Sequence, residues 1–301
     1  MLAVPKLFGQ HAHSHVSALA SQPKTDASRV ADSPIPVETP DIAKLPYTLE
    51  NGVKVFHLVA EPVRRKIVPY KMMDVWGYNG NCPGPTLEAT RGDRVRVIVD
   101  NHLPESTTIH WHGFEIPISM DGMPYISQKP IPPGGRFIYE FDLHQEGTFF
   151  YHAHGAMQEM MGMIGMFILH PKVAHQPTVD HDFGIILQEW AILPGNTVPN
   201  TANMEFNWLT FNGVSSPMTT PLLVRLGNRV RIRIVNLGMD HHPIHLHGHT
   251  FFVTGTEGGR QPEATWVRQT PFWWVWPKLA KSSSSPTIPA TGCSTATFLI
   301  T

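Results

Sequence analysis

Paired histidines are the residues in this sequence best equipped for chemistry. Four stretches stand out: His110-Trp111-His112-Gly113, His152-Ala153-His154, His242-Pro243-Ile244-His245 and His245-Leu246-His247-Gly248. In an extended strand, residues i and i+2 project to the same face, so each His-x-His pair presents two imidazoles side by side. A lone histidine is usually a satisfied core or surface residue. Three pairs, two of them at matching places in similar stretches, point instead to imidazoles converging on metal. Neutral imidazole suits copper, zinc, iron and nickel alike, so residue type alone does not choose the ion. The number of imidazoles does: this many around one cavity fit a cluster of redox-active copper better than a single tetrahedral zinc. His102, His144, His170, His175, His181 and His249 read as ordinary core or surface residues.

The elements that must position these side chains repeat. GDRVRVIVDNHLPESTTIHWHGF (92–114) and GNRVRIRIVNLGMDHHPIHLHGHTF (227–251) share their glycine, arginine and histidine positions, so that His110 matches His245 and His112 matches His247. Upstream, YNG (78–80) is echoed by FNG (211–213). Two homologous units follow, residues 46–172 and 173–301. VRVIVDN and VRIRIVN alternate Val and Ile with polar residues, the period of a half-buried strand. GRFIYEFDL (135–143) and GTFFYHAH (147–154) read as two more strands, and CPGP, PPGG and LPGN as turns between strands. Many short strands at regular spacing predict an all-β fold, with a Greek-key sandwich or barrel in each unit. The run MQEMMGMIGM (157–166) offers soft thioether ligands, but reads better as a core strand filled with adaptable methionine.

Composition narrows the partners. With 23 basic and 24 acidic residues the net charge is −1, which gives no basis for a nucleic acid or an anionic membrane as partner. No apolar run approaches the roughly 20 residues that cross a bilayer as a helix. Two cysteines, Cys82 and Cys293, are too few for a disulfide framework. Residues 1–45 are rich in Ser, Ala, Pro and Asp and are expected to be a disordered tail, with His11, His13 and His15 in it, or an unusual leader; Pro5 and HAHSH break any secretory h-region.

HWHGFEIPISMDGMPYISQKPIPPGG, GTFFYHAHG and HPIHLHG closely resemble the multicopper oxidases, the laccase-like proteins built from cupredoxin domains, over about residues 46–267. The resemblance implies two cupredoxin domains and copper in three kinds of site. His110 and His245 resemble the ligands of the type 2 copper. His112 and His152 resemble those of one type 3 copper, His154 and His247 those of the other. His242 matches one imidazole of the type 1, blue copper. Asp121 falls where the family places a carboxylate that relays protons to oxygen; otherwise it is a turn residue in DGMP. The implied reaction is one-electron oxidation of a small organic or metal-ion donor, coupled to four-electron reduction of dioxygen to water. The first unit has His-Ala-His where a blue-copper domain would have His-Cys-His. Electron entry is therefore expected in the second, as in two-domain laccases, which are homotrimers with the cluster between subunits. Family analogy also implies a periplasmic or secreted protein. Copper nitrite reductases share the two-domain trimer but lack His-x-His pairs in both domains.

The end of the chain departs from this pattern. The family closes with a His-Cys-His motif, and nothing of the kind follows His249. The second domain is thus expected to be incomplete, each type 3 copper to lack a ligand and the type 1 site to keep only His242. A catalytically inactive copper-binding remnant is the alternative this raises. From about residue 268 an adjacent reading frame permits the missing motif: the codons of Ser294–Thr301 (STATFLIT) can read His-Cys-His-Leu-Pro-His-His. A frameshift near Val267–Gln269 is therefore expected, leaving strand edges unpaired and Phe272, Trp273, Trp274 and Trp276 outside any core pattern.

Overall fold

The computed structural model describes residues 33–155, 157–256, 258–269, 272–275 and 294–300. Apart from two short 3-10 turns, its regular elements are strands. In chain order these are β1 (Thr48–Glu50), β2 (Val53–Val68), β3 (Lys71–Tyr78), β4 (Leu87–Thr90), β5 (Arg94–Asn101) and β6 (Ile109–His112). There follow β7 (Arg136–Asp142), β8 (Gly147–Ala153), β9 (Ile164–His170), β10 (His181–Trp190), β11 (Trp208–Phe211) and β12 (Val230–Asn236). Last come β13 (His242–His245), β14 (Phe251–Thr256), β15 (Gly259–Arg260), β16 (Val267–Gln269), β17 (Phe272–Val275) and β18 (Ser294–Ile300). Among the described residues no helix is long and apolar enough to cross a membrane.

Strand alternation sorts the side chains. Val95, Val97 and Val99 of β5 are buried, while Arg94, Arg96 and Asp100 between them form ion pairs with Glu140, Asp142, Glu50 and Arg136. One sheet runs β1-β2-β5-β7, with β3 also on β2; a second runs β4-β9-β8-β6. Phe56, Val97, Trp111, Tyr139, Tyr151 and Phe167 belong to the core cluster these strands share. A further sheet runs β11-β10-β12-β18-β14-β15, with β16 on β14, and β13 pairs with β17. Its core includes Phe183, Leu187, Ile232, Ile234, Phe251 and Val253. These are the sandwich layers of a cupredoxin-like all-β fold.

The sequence repeat reappears as repeated pairing. β5 lies parallel to β2, with Val53 opposite Arg94, and β12 lies parallel to β10, with His181 opposite Val230. On its other side β5 takes β7 antiparallel, and β12 takes β18 antiparallel. The strand 294–300 thus fills the place beside β12 that β7 fills beside β5. It also pairs with β14, so the expectation of unpaired edges here is corrected. STATFLI carries enough β-branched and aromatic residues to take a strand slot whatever motif it lacks. Phe272–Val275 likewise pairs with β13, and Trp276 lies outside the described residues.

The expectation for residues 1–45 is corrected over its last part, while residues 1–32 lie outside the described residues. Val37 and Ile42 are buried in a cluster with Phe150, Ile164, Ile186 and Val235. The amide of Val37 donates to Glu88 Oε2 at 3.2 Å, and Glu38 bridges to Phe183. These two apolar residues, with main-chain hydrogen bonds from Glu38 to Asp182 and Leu45 to Thr86, hold the Pro-rich segment against the strands. Of the methionine run, Met163 and Met166 are buried core residues as expected, whereas Met157 is exposed on the preceding turn.

Trp111, between the first two histidines, is fully buried against Tyr139 (5.3 Å between ring centres), Phe141 (5.4 Å) and Phe167 (6.1 Å). It anchors β6 and so sets the height of His110 and His112. Trp111→Ala is expected to destabilise the protein by about 3–5 kcal/mol in urea unfolding, and Trp111→Phe by clearly less.

Candidate metal centre

β6 and β8 are antiparallel neighbours with His110 opposite His152 and His112 opposite Phe150. Because Trp111 and Tyr151 are both fully buried on the core side, the alternate residues His110, His112 and His152 face the other way, together. One ligand atom from each of these three lies within 4.8 Å of the others. The ring centres are 5.4–5.5 Å apart. His154 stands alongside, 5.4 Å from His110 and 5.8 Å from His152 between ring centres.

The surroundings keep His112 and His152 neutral, and orient His110 and His152. Burial, with the neighbouring imidazoles adding to it, pushes His112 down to about 3. Burial likewise pushes His152 down to about 3, against the opposing pull of its hydrogen bond to the Ala153 carbonyl. At neutral pH both are lone-pair donors, the form a metal needs. His110 Nδ1 lies 2.8 Å from the Asp121 carbonyl oxygen, and His152 Nδ1 lies 2.9 Å from that of Ala153. Each Nδ1–H donates to a carbonyl, which leaves Nε2 as the ligand atom. His112 stacks on Phe150 with ring centres 4.3 Å apart and planes 19° from parallel. A set of converging, pre-oriented imidazoles fits copper.

Asp121 reaches this site chiefly through its main chain. Its carboxylate oxygen is 3.5 Å from His110 Nδ1, farther than its own carbonyl. Gly122 makes the approach possible: with φ of +81°, a Cβ there would run into the Ile109 carbonyl oxygen. Glu159 Oε2, 3.4 Å from His152 Nδ1, is a neighbour the motifs did not indicate.

The second set of histidines is arranged differently. His245 and His247 are exposed, with ring centres 4.4 Å apart, and stand outside the three-histidine group. Where His110 has His152 opposite it, its repeat counterpart His245 has Phe272. His242 Nε2 is 2.7 Å from Glu189 Oε1, a carboxylate with a side chain only 1% exposed. Glu189 also accepts the amides of Met239 (2.9 Å) and Asp240 (3.2 Å), fixing the loop that leads into β13. The sequence signal for Glu189 was an acid inside the apolar strand IILQEW, which demands a partner once buried. Cys82 is not near either set in the packing: it is buried with Val63, Met73, Val75 and Trp190, its Sγ 3.4 Å from the Gly162 carbonyl. Cys293 lies outside the described residues.

Two outcomes follow. Gly122→Ala should force the Asp121 loop away from β6 and cost about 1–3 kcal/mol, read by urea unfolding, with loss of the His110 tautomer preference in histidine NMR. Burial pushes the Cys82 thiol up to about 12, against the opposing pull of Arg65. At pH 8 its thiolate fraction is about one in ten thousand, so iodoacetamide should spare Cys82 in native protein and label it in urea, as peptide mass spectrometry will show. The same rise means that the neutral thiol stabilises the fold fully below the unfolded value of 9.0, and that this contribution is lost as pH climbs toward about 12.

Comparison with known proteins agrees with this geometry. Residues 61–174 match one family model described as Multicopper oxidase, and residues 193–276 match a second of the same description. The chain is 40% identical over 113 residues to the Copper resistance protein A homolog of Pseudomonas syringae pv. tomato, covering 38% of this chain and 19% of that protein. It is 33% identical over 204 residues to Laccase-18 of Oryza sativa subsp. japonica, covering 61% of this chain and 34% of that one. The chain thus spans between 19% and 34% of the length of these curated relatives. The crystal structure of Blue Copper Oxidase from Nitrosomonas europaea superposes with a TM-score of 0.68 at 28% identity, over 81% of this chain and 74% of that one. With both halves matched by its models and the paired histidines brought together on β6 and β8, the chain belongs to the multicopper oxidase family.

Proposed function

We propose that this chain carries a copper cluster of the laccase type, for one-electron oxidation of phenolic or similar donors coupled to four-electron reduction of dioxygen to water. The observation that carries this reading is the group of His110, His112 and His152, whose ligand atoms lie within 4.8 Å of one another. On this reading His110 and His245 would hold a type 2 copper, His112 and His152 one type 3 copper, and His154 and His247 the other. His242 would be one ligand of a type 1 site. Copper held there would supply one-electron redox chemistry. The chain's own residues do the rest. The Asp121 and Ala153 carbonyls hold His110 and His152 in the Nε2-ligand tautomer, and Phe150 stacked on His112 keeps water off one ring face. The Asp121 carboxylate, partly exposed and 3.5 Å from His110, is placed to pass protons between solvent and the site. The buried Glu189 carboxylate lies beside His242, 2.7 Å from its Nε2.

The cluster is shared between copies of this chain in a homotrimer. The exposed His245–His247 pair, standing outside the group formed by His110, His112 and His152, supports that arrangement. Residues 46–172 and 173–301 are its two domains, and the protein works in the periplasm or outside the cell.

A second reading concerns the polypeptide as written: it binds cluster copper but forms no blue copper and does not reduce dioxygen. Two observations favour it. The place opposite His245 is taken by Phe272, and Cys82 is a buried neutral thiol. A change of reading frame near Val267–Gln269 accounts for the missing His-Cys-His. Purified protein loaded with copper should show a nitrogen-coupled copper EPR signal that His110→Ala and His152→Ala diminish, with no intense blue thiolate-to-copper band. A strong blue band with turnover of a phenolic donor would overturn the second reading. Failure to bind copper at all would overturn both.

A further inference from the structure

A cavity of about 50 Å³, lined by none of the paired histidines, is walled on one side by Glu146–Thr148, Pro171 and His175, and on the other by β12, Gly258–Arg260 and Trp266. At about 10–15 Å³ per water site it has room for a few waters or one small ion, and not for a nucleotide. Three guanidinium groups line it: Arg231, Arg233 and Arg260. Arg231 and Arg233 alternate along β12, so one strand face carries both into the seam.

Asp182, Glu146 and Glu263 act on these three groups, but the pairing is unequal. Asp182, with its side chain 1% exposed, takes Arg233 in a two-pronged pair (Nε to Oδ1 and Nη2 to Oδ2, both 2.8 Å). Arg233 Nη1 donates to Thr148 Oγ1 at 2.8 Å, which completes its surroundings. Among the described residues Arg231 has one 3.2 Å contact, from Nη1 to the same, already shared, Asp182 oxygen. Arg260 stacks on Trp266 (5.0 Å to the ring centre) and donates Nη2 to the Gln176 carbonyl at 2.6 Å, while Glu263 and Glu146 act on its charge through space. Glu146 on the facing wall is engaged by His175 at 2.8 Å and Arg91 at 3.8 Å. Burial lowers Arg231 to about 10; Asp182 opposes this, while Arg233 and Arg260 push it further down.

We infer that this cavity is a binding site for a small oxyanion, held between the Arg231 and Arg260 guanidinium groups and the seam of the two units. The shared chemistry is a pair of anionic oxygens, met by guanidinium forks that favour carboxylate, sulfate and phosphate over a spherical halide. Because the walls come from both units, such an anion links them and stabilises the folded chain by mass action. The site needs no copper.

The test uses the full chain without added metal. Sulfate, inorganic phosphate and succinate are titrated at constant ionic strength against chloride, followed by calorimetry and thermal unfolding. At least one of the three oxyanions should bind one per chain and raise Tm saturably. Arg260→Gln should weaken that binding by about tenfold or more and Arg260→Lys by less, while Arg94→Gln, in the exposed ladder on β5, leaves it unchanged. Phosphate or sulfate binding would point to an inorganic ligand, and succinate binding to an organic acid. A rise in Tm that never saturates, or that chloride matches, would overturn the proposal. So would unchanged affinity in a folded Arg260→Gln protein; if that variant fails to fold, equal affinity of Arg260→Lys and the parent decides against it.

Discussion

The register of β6 against β8 is the constraint on which the metal centre depends. His110 stands opposite His152 because Trp111 and Tyr151, one position over, are both committed to the core. A slip of one residue would expose two large aromatic rings and bury the histidines. The packing that stabilises the sandwich therefore also sets which imidazoles meet. The ring tautomers are fixed by backbone carbonyls, of Asp121 and Ala153, which no side-chain substitution removes directly. Gly122 is part of the same device, since it lets the Asp121 loop rest on β6.

The second half of the sequence repeats the strand plan, while among the described residues its histidines are arranged differently. β12 sits beside β10 as β5 sits beside β2, and β18 closes against β12 as β7 closes against β5. Strand pairing satisfies backbone groups irrespective of side chain, so a segment of adequate β propensity can take a slot while bringing none of the chemistry. The strand opposite β13 shows the consequence. Phe272–Val275 pairs with His242–His245 in regular register and offers no ligand.

Much of this was legible in the sequence. The alternation of VRVIVDN and VRIRIVN, the His-x-His spacing and the matched positions of the repeat all rest on short-range periodicity, which survives without knowledge of the fold. What was not legible came from long-range pairing. The placement of 33–45 turns on Val37 and Ile42 and on main-chain hydrogen bonds such as Glu38 to Asp182 and Leu45 to Thr86, which have no local signature. Asp121 was read through its carboxylate, yet it touches His110 mainly through its carbonyl, a contact without a side-chain signature. Glu189 and Asp182 were visible only as acids inside apolar strands; their partners, His242 and Arg233, lie about fifty residues away in sequence. The slot taken by STATFLI depends on which strands remain unpaired, which no local pattern records.

The central claim is that β6 and β8 bring His110, His112 and His152 together as copper ligands. A crystal of the copper-loaded protein measured on either side of the copper absorption edge tests it most directly. The account predicts anomalous density for copper bounded by these three imidazoles and none at Cys82. Copper density elsewhere, with this group empty at full loading, would contradict it.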